Sequence, residues 1–305
     1  MQGIHAILVT PFLPDGTLDL ESLRHLVAFV AKTGVHGIAV LGVQGEVQKL
    51  DDAERIAIVE TVAEAAAAAD LALTVGVSHG GAKVAARFAR QAEEAGAAAV
   101  MLAPPPLVAT GPGLLTFFQQ VADAVNIPII LQDYPQATGV VMPLSFLVEV
   151  AERVPNVSAI KCEDAPTPSK IAAIQQAVGS RFVLLGGLGG LYFLEELHCR
   201  ASGTLTGFAY PEILRKVYDA HVAGDQQGAA AIFASATPLI RFEAQAGVGL
   251  GIRKAILRRR GAIAHATMRV PYTAVNAATL MELDLWLAYL KERGVIEADE
   301  ATRTD

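Results

Sequence analysis

The chain repeats one pattern eight times: a short apolar run followed by a longer segment with helical periodicity. The apolar runs are the candidate strands, and they lie at Ile4–Pro11, Gly37–Leu41, Leu73–Val77, Ala98–Leu102, Pro128–Gln132, Val157–Cys162, Phe182–Leu185 and Gly203–Phe208. Strands that are apolar along most of their length are typical of a parallel sheet covered by helices. Eight consecutive strand–helix units therefore predict a (β/α)8 TIM barrel and disfavour an open, doubly wound sheet.

Helical segments follow the candidate strands, and they lie near residues 19–33, 51–69, 81–95, 112–125, 143–153, 167–178, 189–198 and 211–223. Asp19 and Asp51 lie at the starts of two of them, where a carboxylate accepts hydrogen bonds from free backbone N–H groups. Pro112, Pro143 and Pro211 lie near the starts of three others, where a helix tolerates proline. These signals support the predicted helix starts.

Beyond about residue 225 the strand pattern stops. The sequence there predicts three further helices, near 225–243, 247–260 and 275–293. We therefore predict two regions. A barrel over residues 1–224 carries the active site, and a C-terminal helical region over residues 225–305 packs on it.

The composition favours a folded protein with a large core. Of the 305 residues, 52% are apolar, and the mean hydropathy is +0.40. No apolar run has the length of a membrane span, and the first residues, Met1–His5, lack the features of a secretory signal. Cys162 and Cys199 do not make a disulfide framework. We therefore predict a cytoplasmic protein that does not bind a membrane.

The sequence also gives no sign of a nucleic-acid surface, a metal site or a cofactor. The formal net charge is −7, and the basic run Arg258–Arg260 is typical of the last turn of a helix. The histidines are scattered, and no paired cysteines or H-E-x-x-H motif occur. Tyr192 occupies the place of the last glycine in a dinucleotide motif that would begin at Gly187. We predict a small-molecule substrate and no cofactor.

Lys161 lies inside the apolar strand-like run Val157–Glu163. An ammonium ion is costly to bury, and burial in general lowers the pKa of an amine. A neutral amine is a nucleophile toward ketones. This position favours an enzyme that forms a Schiff base, and the alternative is a lysine at a strand end whose amine extends into water.

In a TIM barrel, the C-terminal ends of the strands carry the chemistry. The residues there that we expect to bind substrate are Thr10, Val43, Gln44, Gly45, His79, Gly186, Gly187 and Thr206. Backbone N–H groups of the loop at 42–45 could hold a carboxylate, and the glycines at 186–187 could admit a ligand close to the backbone. The glycine segment that begins at Gly186 could instead be a tight turn, and His79 could make only a structural hydrogen bond.

Four residues of predicted strands 5 and 6 are the catalytic candidates: Gln132, Tyr134, Lys161 and Glu163. Side chains two apart on a strand share a face, so Glu163 would accompany Lys161 and Tyr134 would accompany Gln132. A partly desolvated carboxylate or a phenol beside the lysine could transfer protons. Glu163 could instead cap the next helix in solvent, and Tyr134 could be a packing residue ahead of a proline.

Five short motifs occur in order along the predicted barrel. They are Thr10-Pro11-Phe12 followed by Asp15-Gly16, Gly-x-x-Gly-Glu at 42–46, Pro-x-x-Thr-Gly at 135–139, Ile160-Lys161, and Gly186-Gly187. With these motifs the chain resembles, over nearly its whole length, the dihydrodipicolinate synthase / N-acetylneuraminate lyase family of class I Schiff-base lyases. The resemblance implies that Lys161 is the Schiff-base lysine and that the protein is a homo-oligomer, a tetramer or a dimer.

The chain departs from the family members that make dihydrodipicolinate. Val43 and Gln44 stand where those members carry two threonines, and Gln132 stands where they carry a tyrosine. The prolines at 104–106 replace a second tyrosine, and Ala137 replaces an arginine. The departures imply that the proton relay and the grip on a second carboxylate of those members are absent.

A second resemblance is to 2-keto-3-deoxy sugar-acid dehydratases of the same family. Its features are Ser78-His79, Gln132-Asp133, Lys-x-Glu at 161–163, Thr206-Gly207, and the segments 240–243 and 261–264. It implies a Schiff-base lyase, a dehydratase or aldolase, that acts on a 2-oxo acid such as 2-keto-3-deoxyarabonate. The alternatives are a dihydrodipicolinate synthase, another pyruvate-dependent aldolase, or a protein that binds a 2-oxo acid without catalysis.

Overall fold

The computed structural model describes residues 1–297, in which eight parallel strands close into a barrel in chain order. The strands are β1 (Gly3–Ile7), β2 (Gly37–Val40), β3 (Ala72–Gly76), β4 (Ala99–Leu102), β5 (Ile129–Asp133), β6 (Val157–Cys162), β7 (Val183–Gly186) and β8 (Gly203–Thr206). Strand β8 closes the barrel against β1, with Gly203 opposite Gly3. The predicted (β/α)8 TIM barrel with a C-terminal helical extension is confirmed.

Helices cover the outside of the barrel. They are α1 (Leu20–Ala31), α2 (Asp52–Ala68), α3 (Ala82–Glu94), α4 (Pro112–Ala122), α5 (Pro135–Thr138), α6 (Leu144–Arg153), α7 (Thr167–Val178), α8 (Phe193–His198) and α9 (Pro211–Val222). The Asp19 side chain caps α1 by accepting from the Ser22 backbone N–H at 2.9 Å. Asp51 and Glu54 form a reciprocal capping box at the start of α2. The capping signals read from the sequence therefore mark true helix starts.

The strands separate two apolar layers. Side chains that point to the barrel axis form the inner layer, which consists of Ile7, Ala39, Ala99, Met101, Ile130, Ala159, Leu185 and Leu205. The side chains between them along each strand pack outward against the helices. In β6, Ile160 and Cys162 belong to this outer core. The same alternation turns Lys161 toward the axis.

Three helices follow the barrel: α10 (Gln226–Glu243), α11 (Gly249–Arg259) and α12 (Ala277–Glu292). Helix α10 packs along α9, and α12 packs on α10. Leu239 and Leu283 belong to the same apolar core as the outer faces of the strands. The division into residues 1–224 and 225–305 stays a prediction, and residues 298–305 of that second region lie outside the described residues.

Two predicted boundaries are wrong for identifiable reasons. Strand β1 ends at Ile7, four residues before the predicted end at Pro11, and the chain continues as a buried segment to Phe12, which forms a single bridge with Leu18. Helix α8 begins at Phe193 rather than at 189, because Gly189 and Gly190 have φ of 68° and 84°, outside the helical range. Among the described residues, no helix is both long and apolar enough to cross a bilayer.

Candidate active site

A cavity of ≈ 390 Å³ opens at the C-terminal ends of the strands. Ile7, Met101 and Leu205 of the inner apolar layer also line it and form its floor. The polar side chains of its walls come from β5, β6, the loop after β2 and the C-terminal helices. This is the end of the barrel at which the sequence predicts the chemistry.

Lys161, Glu163 and Gln132 form one buried cluster in this cavity. The Lys161 Nζ lies 2.9 Å from the Glu163 Oε2, and the two side chains are 4% and 6% exposed. The Gln132 Nε2 donates to the same carboxylate oxygen at 2.7 Å. Lys161 therefore does not extend into water, and Glu163 does not cap a helix in solvent. A carboxylate beside the amine can accept its proton, which is the first requirement of a lysine nucleophile.

Gly186, the last residue of β7, and Gly187, the residue after it, make room for buried carboxylates. A Cβ on Gly187 would overlap the side chain of Glu163. The backbone N–H of Leu188, the next residue, donates to the Glu163 Oε1 at 3.1 Å. Gly186 faces the outer side of the barrel, where a Cβ would overlap the carboxylate of Glu196. Neither glycine lines the cavity, so their role in this structure is to position Glu163 and Glu196.

Tyr134 lines the cavity near Glu163. Burial raises the pKa of its phenol above the ordinary value, and the charge of Glu163 raises it further. A phenol with a raised pKa stays protonated at neutral pH and is a weaker acid, so Tyr134 is suited to donate a hydrogen bond and, as a proton donor, can serve only a strongly basic group such as a leaving hydroxyl.

The loop after β2 brings some of the predicted binding residues to the cavity and not others. Val43 and Gln44 line it. The Gln44 Oε1 is buried and has no hydrogen-bond partner among the described residues. Thr10 lies behind the loop, where its hydroxyl donates to the Gly45 carbonyl at 2.7 Å. Thr10 and Gly45 therefore shape the loop from outside the cavity wall.

Glu46 anchors this loop to the C-terminal region. It is 1% exposed, and its φ of 54° lies in the left-handed region. Its two oxygens lie 2.6 Å from the Lys254 Nζ of α11 and 2.9 Å from the Lys49 Nζ. The backbone N–H of Arg269 also donates to Glu46 at 3.1 Å. These contacts hold the loop against α11.

His79 and Thr206, two predicted substrate-binding residues, lie outside the cavity wall. The exposed His79 packs edge-on against Phe88, and its Nδ1 accepts from the Gly81 N–H at 3.0 Å. The Thr206 hydroxyl accepts from the Phe208 N–H at 3.0 Å. The Thr206 side chain points away from the barrel axis because side chains alternate along β8 and Leu205 takes the inward position. His79 lies beyond the end of β3, where the chain has already turned toward α3.

The C-terminal helices supply two site residues that the sequence analysis missed. Arg253 of α11 and Glu243 of α10 both line the cavity, and the Arg253 Nε lies 2.6 Å from the Glu243 Oε1. The Ala209 N–H donates to the other Glu243 oxygen at 3.1 Å. Burial raises the pKa of the Glu243 carboxyl, against the opposing effect of Arg253. The sequence carried no clear signal for them, because Glu243 is the last residue of α10 and Arg253 is one of four charged residues in α11.

Acidic side chains also lie behind the sheet, on the outer side of β5 and β7. Burial raises the pKa of Glu196 to about 8, although the Thr167 hydroxyl donates to its carboxylate at 2.6 Å. Burial raises the pKa of Asp133 to about 6, against the nearby Lys170 at 2.6 Å. Neither carboxylate lines the cavity, so neither would contact a ligand there, and they affect the site only through the strands that they pack against.

Known proteins with similar sequences and folds were found. The model of the dihydrodipicolinate synthetase family matches residues 1–288. The L-2-keto-3-deoxyarabonate dehydratase of Azospirillum brasilense is 30% identical over 287 residues, which are 92% of this chain and 92% of that protein. The 4-hydroxy-tetrahydrodipicolinate synthase of Methanosarcina acetivorans is 32% identical over 244 residues, with coverages of 79% and 82%. The crystal structure of dihydrodipicolinate synthase from Rhodopseudomonas palustris superposes with a TM-score of 0.88 at 36% identity, with coverages of 94% and 97%.

Proposed function

The chain belongs to the dihydrodipicolinate synthetase family, and on that premise we propose that it dehydrates a 2-keto-3-deoxy sugar acid through a Schiff base on Lys161. Its class is a Schiff-base-forming lyase that acts on a 2-oxo acid. The Schiff base is assigned to Lys161 because its buried amine lies in the cavity, 2.9 Å from the Glu163 carboxylate.

Lys161 begins the reaction as the nucleophile. Glu163 takes one proton from the ammonium group, and the neutral amine adds to the C2 carbonyl of the substrate. The carbonyl oxygen takes one proton from the amine and the proton held by Glu163 and leaves as water, so a C2 iminium remains on Lys161 and Glu163 is again a carboxylate. The iminium withdraws electrons from C3, so the hydrogens on C3 become acidic.

Glu163 and Tyr134 are suited to the proton transfers that follow. Glu163 as a carboxylate removes a proton from C3, and the iminium becomes an enamine. The enamine electrons expel the C4 hydroxyl, which leaves as water after it takes a proton from Glu163 or Tyr134. Hydrolysis of the remaining iminium frees Lys161. The net change is the loss of one water from the substrate.

The substrate carboxylate would bind at the loop after β2. Gln44 lines the cavity there, and the N–H groups of its side-chain amide would be the donors to the carboxylate. A carboxylate at this loop would place C2 between the loop and Lys161. Gln132, which already bonds Glu163, would hold the base in place during proton transfer.

A pyruvate-dependent aldolase, such as a dihydrodipicolinate synthase, is the second candidate. It is supported by the similarity to the Methanosarcina acetivorans synthase. The same iminium would then supply a nucleophilic C3 that adds to an aldehyde. Gln132 and Ala137 favour the dehydratase, because they stand where the family members that make dihydrodipicolinate carry a tyrosine and an arginine.

The experiment that tests the proposal is borohydride trapping. The protein is incubated with pyruvate and with 2-keto-3-deoxyarabonate, reduced, and digested for mass spectrometry. We expect an adduct on Lys161 in the native chain and none in Lys161→Ala. Lys170→Ala is the matched control, because Lys170 is a partly buried lysine that does not line the cavity.

Turnover then separates the candidates. Loss of one water from the sugar acid supports the dehydratase, and condensation of pyruvate with an aldehyde supports the aldolase. An adduct without any turnover would instead support the alternative of a protein that only binds 2-oxo acids. No adduct with any 2-oxo acid would contradict the proposal. The homo-oligomeric state and the cytoplasmic location stay predictions, which light scattering after size exclusion and cell fractionation would check.

A further inference from the structure

Arg253 and Glu243 form a buried ion pair in the cavity wall that the proposed reaction steps do not use. Arg253 is 4% exposed and Glu243 is 2% exposed. The pair lies beside Gly207, just after β8, and a Cβ on Gly207 would overlap the guanidinium. Lys161 lies on β6, so β7 separates the lysine from the pair. The pair therefore lines a different part of the cavity from the Schiff-base lysine.

The ion pair leaves one strong donor unused. The Arg253 Nε bonds Glu243, but its Nη1 is buried and has no hydrogen-bond partner among residues 1–297. An unpaired buried donor costs free energy, and both Arg253 and Gly207, the glycine against which Nη1 packs, line the cavity. The arrangement indicates a ligand oxygen at this point.

The charge of the pair restricts what that oxygen belongs to. Glu243 already compensates the positive charge of Arg253 at 2.6 Å. A carboxylate or phosphate of the ligand would be attracted by the guanidinium but repelled by the buried Glu243 carboxylate beside it. A hydroxyl can accept from Nη1 and donate to a carboxylate oxygen, so it matches both members of the pair.

We propose that Arg253 and Glu243 bind a hydroxyl group at the end of the substrate away from Lys161, and that they select 2-oxo acids whose remote end carries uncharged hydroxyl groups over 2-oxo dicarboxylic acids. This inference rests on the proposed function, because it takes C2 of the ligand to be held by Lys161. It assigns the choice of substrate to the C-terminal helices and the chemistry to the barrel.

The test compares three 2-oxo acids as ligands of the intact protein. The probes are 2-oxobutyrate, which has no remote oxygen, 2-keto-3-deoxyarabonate, which has remote hydroxyls, and 2-oxoglutarate, which has a remote carboxylate. The amount of borohydride-trapped Lys161 adduct is measured against probe concentration, so the readout is binding rather than turnover. In the native chain we expect the hydroxylated acid to bind tightest and 2-oxoglutarate to bind poorly.

Arg253→Lys keeps a cation beside Glu243 and removes the Nη1 donor. We expect it to weaken binding of the hydroxylated acid by about tenfold or more, as for a lost hydrogen bond to a charged donor. Binding of 2-oxobutyrate should stay within about twofold, since an acid without remote oxygens makes no use of that donor. Arg55→Lys is the matched control, because Arg55 is also a buried arginine but does not line this cavity.

Glu243→Gln tests the charge argument. It removes the repelling carboxylate, so we expect 2-oxoglutarate to bind about tenfold better, a gain typical of relieving one like-charge contact. If Arg253→Lys does not fold, Gly207→Ala displaces the guanidinium without removing it and should give the same selectivity pattern.

Two results would overturn the inference. In Arg253→Lys, the binding of 2-oxobutyrate and of the hydroxylated acid could be weakened equally. That result would mean that Arg253 binds the C1 carboxylate or positions Lys161. Equal binding of 2-oxoglutarate and the hydroxylated acid in the native chain would contradict the selectivity. The absence of any adduct in the native chain would instead be a failure of the proposed function, so the two failures are distinguishable.

Discussion

Glu163 is the residue on which the proposed chemistry depends most after Lys161. Its carboxylate contacts the lysine amine, the Gln132 amide and the Leu188 N–H, and Gly187 makes room for it. We expect Glu163→Gln to form the trapped adduct more slowly, because the Lys161 ammonium loses its proton acceptor, and to lose turnover by about 10²- to 10⁴-fold, the usual contribution of a general acid–base. Steady-state rates and adduct yield measured on one preparation would check this.

Glu195→Gln is the control for that substitution, because Glu195 is an exposed glutamate on α8. Its rate should match that of the native chain. A Glu163→Gln variant that turns over at the native rate would remove Glu163 from the proposed mechanism and leave Tyr134 as the acid–base residue.

Glu196 shows how one buried acid links stability to pH. Its folded pKa is raised from 4.5 to about 8, so between these values the folded chain keeps a proton that the unfolded chain has lost. The free energy of unfolding should therefore fall as pH rises through this window, by about 1.4 kcal/mol per pH unit from this group. Above pH 8 both states are ionised, and this contribution stops changing.

Glu196→Gln removes that dependence and keeps the shape of a neutral acid. We expect the variant to unfold with a flatter pH profile than the native chain between pH 5 and 8. Urea unfolding at several pH values measures it. Equal slopes for the two proteins would mean that Glu196 is ionised in the folded state. Asp133, with its pKa near 6, adds a trend of the same sign to both proteins.

At the scale of elements, the loop after β2 owes its position to α11. Lys254 is 0% exposed and pairs with the buried Glu46 at 2.6 Å. Removing one member of a buried pair leaves an uncompensated charge, at a cost of about 3–5 kcal/mol. We expect the stability loss in Lys254→Met to lie at or below the lower end of this range, because Glu46 retains its ion pair with Lys49 and its hydrogen bond from the Arg269 N–H. Chemical denaturation would measure the change.

The double variant with Glu46→Gln is the matching control, since it removes both charges. It should regain part of the lost stability. If the free energy of unfolding falls by the same amount in the single and the double variant, Lys254 stabilises the fold through packing rather than through its charge. A weaker affinity for pyruvate in Lys254→Met would further connect the anchor to the shape of the carboxylate loop.

The elements themselves could be predicted because their signals are local. β6 and α7 have their predicted bounds, since period, caps and prolines all act within a few residues. The pairing of Lys161 with Glu163 also followed from alternation along one strand. Arg253 and Glu243 could not be placed in the same way, because their position depends on how α10 and α11 pack on the barrel. The position of His79 away from the cavity could not be predicted either, because strand alternation does not set the direction of a loop.

At the scale of the whole molecule, the apolar core does not divide at residue 224. Leu214 of α9, Leu239 of α10 and Leu283 of α12 belong to one buried cluster with the outer faces of the strands. We therefore expect the full chain to unfold in a single calorimetric transition, and the fragment 1–224 to lack stable structure because its exposed apolar face is large. Two separate transitions, or a folded fragment, would contradict this and make the two predicted regions independent domains.

The floor of the cavity has a kinetic consequence. Ile7, Met101 and Leu205 close it from below, within the residues that the structure describes, so ligands arrive and depart through the same mouth. A released product that still carries a 2-oxo acid group can therefore occupy the lysine before the next substrate does. Product should raise the apparent KM without lowering the maximal rate, and flux through the enzyme should depend on how quickly its product is consumed.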